Sequence, residues 1–252
     1  MTWIKAVAHV HSTWSYDGSW ELPELSAKFA SRGCRALLMT EHDLGFTQAR
    51  FDEFRDACAR ASSEQILVVP GIEYSDAANC VHILVWGLNR FLGEALPTLE
   101  MLRAAREAGG FAVLAHPARR QAGQRVEPEW LELLNGIECW NRKYDGWAAS
   151  GAASGLLDQS ERIPFVGLDF HTVRQLFPLS MAIDVTGDLS EDAIVDAMRE
   201  GRCEARAFGR AVNGVALRLA GGALAVAERG RRMAARTARS LGVFRTAPVN
   251  KV

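Results

Sequence analysis

The stretch Ala8-His9-Val10-His11-Ser12, with Asp17 six residues beyond His11, decides how the rest of the chain is read. Val7 to Val10 is short and apolar and reads as a buried strand. Residues two apart on a strand point to one side, so His9 and His11 present two imidazoles together at the strand end. Neutral imidazole is a common ligand for zinc, manganese and iron, and two rings aimed at one point make a natural chelate. Asp17 follows in the turn Tyr16-Asp17-Gly18, from which a carboxylate could reach the same ion. A His-x-His pair alone recurs by chance, so its weight depends on what lies downstream.

Outward from this strand, Pro23 opens a helix that runs to about Arg32 and stops at Gly33. Ala36 to Thr40 is a strand ending at Glu41-His42-Asp43. Thr47 caps a helix that carries Phe51, Phe54 and Cys58 inward. The strand Ile66 to Ile72 ends at Glu73. Only a short polar turn, Ser75 to Asn79, precedes the next apolar run, Val81 to Trp86. A parallel neighbour needs a crossover of about a dozen residues, so this run is a hairpin return or an excursion from the rim, with His82 at the same end as Glu73.

A helix over about Glu94 to Ala108 leads to the strand Phe111 to Ala115 and His116-Pro117. A helix from Pro128 to Leu134 leads to the strand Ile137 to Trp140. Residues 147–162, rich in Ala, Ser and Gly, read as a helix, followed by the strand Pro164 to Leu168 and Asp169-Phe170-His171. Met181 to Val185 is a further strand. Ser190 caps a last helix, with Ile194 and Met198 inward and Gly201 as its stop. The alternation argues a parallel α/β architecture. The chain has six histidines, and each falls at a strand terminus on one inferred rim, the end that carries the active site in a barrel.

The 252 residues are 48% hydrophobic, enough for a full core and near the length of one α/β barrel. A net charge of −1 gives no global sign of nucleic acid or membrane. Five scattered cysteines without a Cys-x-x-Cys suit a reducing cytosol. The start has no charged-then-apolar leader pattern, and no apolar run could span a bilayer, so the expected location is cytoplasmic. Residues 220–252 carry seven Lys or Arg and one acid, a formal +6, which leaves −7 on residues 1–219. That basic stretch reads as a helix packed by its apolar side, an electrostatic steering element, an oligomer contact or an RNA contact. It lacks stacking aromatics except Phe244, which argues against nucleic acid.

Taken in order, His9-x-His11, Asp17, Thr40-Glu41-His42-Asp43, Gly71-Ile72-Glu73, His82-Ile83-Leu84, His116-Pro117 and Gly167-Leu168-Asp169-x-His171 resemble the polymerase and histidinol phosphatase (PHP) superfamily over about residues 1–210. The resemblance implies a distorted seven-stranded (β/α) TIM-like barrel over residues 1–215, with a metal cluster at its C-terminal rim and a basic helical extension over 216–252. It implies two or three divalent ions held by His9, His11, Asp17, His42, Glu73, His82, His116, Asp169 and His171. Glu73 would bridge two ions, and catalytic roles fall to Asp17, Glu73 and His171. Asp17 stands where many members have a third histidine. Glu41 replaces the more usual aspartate and is read as a support for its neighbours. The spacing from Glu73 to His116 is too short for a nucleotide-binding insertion domain. Ile137 to Asn141 resembles a strand lining the site, with Glu138 and Asn141 either supporting ligands or simply structural.

The mixed nitrogen and oxygen set suits zinc, manganese or iron rather than calcium. The expected activity is phosphoester hydrolysis of a small phosphorylated metabolite or nucleotide by a metal-activated hydroxide. Arg119, Arg120, Arg142, Lys143 and Arg174 follow rim strands, and Arg142 and Arg174, nearest the strand ends, are the preferred phosphate ligands. An alternative is a carbamate or ester hydrolase of the carbaryl-hydrolase-like branch, with Trp14, Tyr16, Trp140, Tyr144 and Trp147 holding an apolar substrate. A third reading is a non-catalytic scaffold, which the complete ligand set disfavours. The expected partner is a small molecule, with no membrane, nucleic acid disfavoured and a homo-oligomer compatible with the tail.

Overall fold

The structure, a computed structural model, describes residues 2–212, 224–231, 233, 234 and 237. Most of the expected extension 216–252 lies outside the described residues. No helix among the described residues is long and apolar enough to cross a membrane.

The first strand is longer than its apolar centre. β1 spans Thr2–Val10, with Thr2, Trp3 and Lys5 exposed and everything from Ala6 onward buried. It pairs in parallel with β2 (Ala36–Met39), Ala6 opposite Ala36. On its other side it pairs antiparallel with β10 (Leu179–Val185), Ala6 opposite Met181. β11 (Cys203–Ala207) and β12 (Arg210–Ala211) extend this sheet antiparallel beyond β10. β4 (Leu67–Val69) closes its far side against β2.

A second sheet runs β3-β5-β6-β7-β8-β9, with β3 at Glu41–His42, β5 at Gly71–Ser75, β6 at His82–Trp86, β7 at Phe111–Leu114, β8 at Gly136–Asn141 and β9 at Ile163–Gly167. Only Thr40 separates β2 from β3, and only Pro70 separates β4 from β5. Proline has no N–H for the ladder, so the strand breaks there and re-pairs in the other sheet. At the far edge the chain after β9 runs along the end of β1. Leu168 N donates to Ala8 O at 3.0 Å, Phe170 N to His9 O at 3.0 Å and His11 N to Phe170 O at 2.9 Å.

The helices are α1 (Leu22–Ala30), α2 (Gln48–Ala61), α3 (Thr98–Glu107), α4 (Pro128–Leu133), α5 (Ser154–Asp158) and α6 (Glu191–Arg199). Thr47 and Ser190 cap α2 and α6 by accepting from Arg50 N and Ala193 N. α1 is opened by a capping box between Glu21 and Glu24, with Pro23 in its first turn. The core between sheets and helices holds Phe51, Phe54, Trp86, Phe111, Phe165 and Phe170, all essentially inaccessible. Trp86 reaches across to donate from Nε1 to Met39 O at 2.7 Å. Gly71 makes room for it, since a Cβ there would lie 2.6 Å from Trp86 Nε1 and 2.5 Å from Met39 O.

Two expectations are corrected. The sheet is not parallel throughout: β6 is antiparallel to both β5 and β7, and β10 is antiparallel to β1. The hairpin was legible from its short turn, with Ser75 opposite His82. The helix expected over 147–162 contracts to α5, because Gly146 and Gly151 take positive φ and the preceding segment winds into a turn on β8.

Candidate metal centre

All six histidines, with Glu73 and Asp169, converge at one end of the two sheets. His9 lies at an irregularity of β1, where the register against β2 shifts between Ala8 and Val10 and φ is 60°. The bulge re-aims the ring. His116 and Asp169 also have positive φ, 28° and 48°. Three non-glycine residues in this region hold local strain that the surrounding packing must sustain.

The Glu73 carboxylate is the hub. Its Oε1 is 2.7 Å from His82 Nδ1, 2.9 Å from His116 Nε2 and 3.5 Å from His9 Nε2. Its Oε2 is 3.1 Å from His42 Nδ1 and 3.4 Å from His11 Nε2. Asp169 Oδ1 lies 3.2 Å from His171 Nδ1, 3.7 Å from His11 Nε2 and 3.8 Å from His9 Nε2. Asp17 reaches in from its turn, with Oδ1 3.2 Å from His42 Nε2 and Oδ2 3.0 Å from His171 Nε2. In His82 both ring nitrogens are engaged, since Nε2 is 2.6 Å from Asn79 Oδ1, and in His171 likewise, with Nδ1 2.9 Å from Asp169 O and Nε2 beside Asp17 and Lys143.

Three groups among the described residues have donor atoms close enough to share an ion: His11, His42 and His171; His9, Glu73 and His116; and His9, His11 and Asp169. The chemistry of these donors fits divalent cations. His9 Nε2, His11 Nε2, His42 Nε2, His116 Nδ1 and Glu73 Oε2 are buried with no hydrogen-bond partner. His42 Nε2 and Glu73 Oε2 do lie near Asp17 and His42, but they are not aligned for hydrogen bonds. Buried polar atoms are normally satisfied, so orphans on Glu73 and on four histidines beside it indicate a binding site rather than a core.

The charges within the cluster are strongly coupled. Burial alone would raise Glu73, yet the His82 and His9 charges, the bond from His116 and the nearby His42 ring hold it well below the carboxylate range. Burial, with His42 and His171 nearby, pushes His11 well below the usual imidazole value, and burial lowers His116. Both then keep lone pairs available for a cation. His42 goes the other way: despite its burial, Asp17 and Glu73 raise it to about 10. Asp17 is held below its usual range, burial being overcome by the His171 and His42 rings beside it.

Carboxylates behind the rings orient them. Glu138 Oε1 is 2.8 Å from His9 Nδ1, while its Oε2 accepts from His116 N at 2.7 Å and Asn141 Nδ2 at 2.9 Å. Glu41 accepts from Ser12 N, from Ser12 Oγ at 2.6 Å and from Ser15 Oγ at 2.5 Å. Ser15 Oγ in turn accepts from His42 N at 3.0 Å and sits 3.3 Å from His11 Nδ1. Partners of this kind fix the ring orientation of a ligating histidine. The sequence had singled out Glu41, Glu138 and Asn141, but the part played by Ser12 and Ser15 was not legible there.

A cavity of about 250 Å³ opens over the cluster, lined by Asp17, His42, Glu73, His82, His116 and Asp169 and walled by Tyr16, Asn79, Arg119, Lys143 and Tyr144. Lys143 Nζ donates to Asp169 Oδ1 at 3.0 Å and is 3.4 Å from both His171 nitrogens. Burial would lower this ammonium, but Asp169 raises it. Arg119 donates to Tyr144 Oη, Asn79 O and Asn79 Oδ1, tying the β5–β6 turn to the rim. Arg142 and Arg174, the preferred phosphate ligands from sequence, are not among the lining residues. Arg142 lies over the Phe177 ring and donates to Arg174 O, and Arg174 is exposed. The turn after β8 winds onto Asn141 Oδ1, which accepts from Lys143 N and Tyr144 N. Lys143 is the cation of this turn that meets the cluster, and Tyr144 beside it lays its ring 4.7 Å from that of His116.

No family profile matches the sequence, and no curated protein matches it. Solved structures do match. A two-domain protein from Bacteroides vulgatus containing a predicted PHP-like metal-dependent phosphoesterase aligns at TM-score 0.62 and 19% identity, over 82% of this chain and 65% of that one. PsfC from Pseudomonas syringae aligns at 0.59 and 16%, over 93% and 99%. The lesion-specific endonuclease PfuEndoQ from Pyrococcus furiosus aligns at 0.54 and 14%, over 79% and 56%. The chain thus spans just under two thirds of the first protein and little more than half of the endonuclease. At these identities the likeness is one of fold: the chain has the fold of PHP-like metal-dependent phosphoesterases.

Proposed function

We propose that this chain is a metal-dependent hydrolase that cleaves phosphoesters. The observation that carries this is the set of five buried, unpartnered polar atoms on Glu73 and four neighbouring histidines, beneath a cavity walled by Lys143 and Arg119. Counting β2–β3 and β4–β5 as one broken strand each, we read these two with β1, β6, β7, β8 and β9 as one distorted seven-stranded barrel flanked by β10 to β12, the domain taking in residues 1–215 and a basic extension following over 216–252. The bonds from Leu168 and Phe170 to β1, and strands broken only at Thr40 and Pro70, support that reading.

His9, His11, His42, Glu73, His116, Asp169 and His171 would hold two or three divalent ions such as zinc, manganese or iron. Asp17 and His82 complete the set at its edge. Bound ions of this kind supply Lewis acidity and bring the pKa of water to about 7. The two oxygens of Glu73 face different imidazole groups, which suits a bridging carboxylate. Lys143 carries three N–H donors and gives one to Asp169, so it can also hold an anionic substrate oxygen over the cluster. Arg119 holds Tyr144 against the cavity wall. Glu138 and Glu41 keep the rings aimed.

The substrate class is decided by experiment. Elemental analysis of the purified chain is combined with a panel of phosphomonoesters, phosphodiesters including DNA and RNA, and carbamate and aryl esters. The expected result is two or three transition-metal ions per chain and metal-dependent release of phosphate from an aryl phosphate. A folded, metal-free preparation that gains no activity with zinc, manganese or iron would overturn the hydrolase reading. Turnover of carbamates alone would overturn the phosphoester reading.

A further inference from the structure

We propose that Glu228, in the helical segment 224–231, is a positioning residue for the cavity wall. It seats in the turn that carries Lys143 and Tyr144. Glu228 is the only acid of the basic stretch 220–252, yet it is only 4% exposed. A buried carboxylate is costly unless it is paired and hydrogen-bonded. Arg231 gives it two bonds, Nε to Oε2 at 2.7 Å and Nη2 to Oε1 at 2.6 Å. Trp147 N, on the barrel side, donates to Oε2 at 3.3 Å. The Arg231 guanidinium also lies 5.7 Å over the Trp147 ring.

The turn is shaped to receive this carboxylate. Gly146 has φ 83°, and a Cβ there would sit 2.5 Å from Glu228 Cδ. Any larger residue at 146 would therefore be strained and would also evict Glu228. The turn has little slack. Asn141 Oδ1 accepts from Lys143 N and Tyr144 N, Asp145 Oδ2 accepts from Asn141 N at 2.8 Å, and Trp140 Nε1 donates to Gly146 O at 3.2 Å. A shift at Gly146 and Trp147 is thus passed back to Lys143, the cation 3.0 Å from Asp169. An ion pair serving only its own helix would need neither the glycine seat nor the Trp147 bond.

The inference rests on the proposed phosphoester reading only in its kinetic arm. The full chain is compared with Glu228→Ala and Glu228→Gln by hydrogen–deuterium exchange, metal content and steady-state hydrolysis of an aryl phosphate. In Glu228→Ala the amides of 142–148 exchange faster, while those of 8–17 and 166–171 and the metal content stay unchanged. KM rises about tenfold, the scale of one lost charge-assisted hydrogen bond, with kcat within about twofold of the parent. Glu228→Gln keeps an oxygen for Trp147 N and retains most of the protection. Unchanged exchange at 142–148 in Glu228→Ala overturns the docking. Faster exchange with unchanged KM overturns the positioning role. If the parent hydrolyses no phosphoester, the functional reading fails, and exchange alone decides whether Glu228 holds the turn.

Discussion

Gly167→Ala, a single added methyl, should damage the site more than most substitutions of exposed residues. A Cβ on Gly167 would overlap Glu138 Oε1 outright and lie 2.8 Å from His9 Cβ. The Glu138 carboxylate must then withdraw by more than about 1 Å to regain ordinary contact, and its bonds to His9 Nδ1, His116 N and Asn141 Nδ2 cannot all survive. Losing a hydrogen bond to a charged group costs about 1.5–3 kcal/mol. With one such bond lost and the others stretched, about 3 kcal/mol is expected overall. For a chain of this size that is a fall in melting temperature of roughly 6–12 °C. Because Glu138 orients His9, metal affinity should also fall about 10–100-fold. Thermal denaturation with and without chelator, together with metal titration, measures both. Glu138→Gln is the control: it removes the charge without the clash and should lose metal affinity with a smaller loss of stability. A Gly167→Ala chain that melts within about 2 °C of the parent and binds metal equally well would refute the idea that Glu138 aims His9.

Glu73→Gln should lower turnover by more than the roughly 10–100-fold typical of a residue that only supports ligands, and should reduce bound metal, because one carboxylate faces both imidazole groups; full metal content and turnover would remove it from the hub. Lys143→Ala should raise KM for an aryl phosphate about tenfold, whereas Arg174→Ala, off the cavity, should stay within about twofold; the reverse order would restore the sequence-based choice. Asp17→Ala should lose one ion and most turnover with the fold intact, and Asp17→His should shift preference toward zinc. An Asp17→Asn chain with parental stoichiometry and rate would show that Asp17 serves only its turn.

Much of the site was legible because its signals are local. Alternation pointed His9 and His11 to one side, an outcome the structure reaches through the bulge at His9, and strand ends located His116, Asp169 and His171, whereas Glu73 falls inside β5. The brevity of the turn at 75–79 placed His82 beside Glu73. What escaped depends on contacts distant in sequence or on backbone detail. Nothing near Met181 says that it pairs antiparallel with Ala6, since strand pairing over that separation leaves no periodic mark. The bulge at His9 carries no glycine to announce it. Arg142 and Lys143 are neighbours with the same charge, and only the winding of the turn on Asn141 decides which meets Asp169. The basic tail drew attention by its charge, while its one acid forms the contact with the turn.

The pairing of β1 also sets a schedule for the growing chain. Thr2 ends opposite Val185, and Ala8 O waits for Leu168 N. At about 5–20 residues per second, the first strand and its two histidines spend on the order of ten seconds or more as a nascent segment without these partners. Asp169 and His171 emerge only at the end of that interval, so the complete ligand set cannot assemble on a short nascent chain. Until then the apolar end of β1 is an open strand edge, the kind of surface that templates unwanted pairing. Conditions that slow synthesis through residues 160–185 should therefore favour aggregation of this chain, and metal should be acquired only once that stretch has been made.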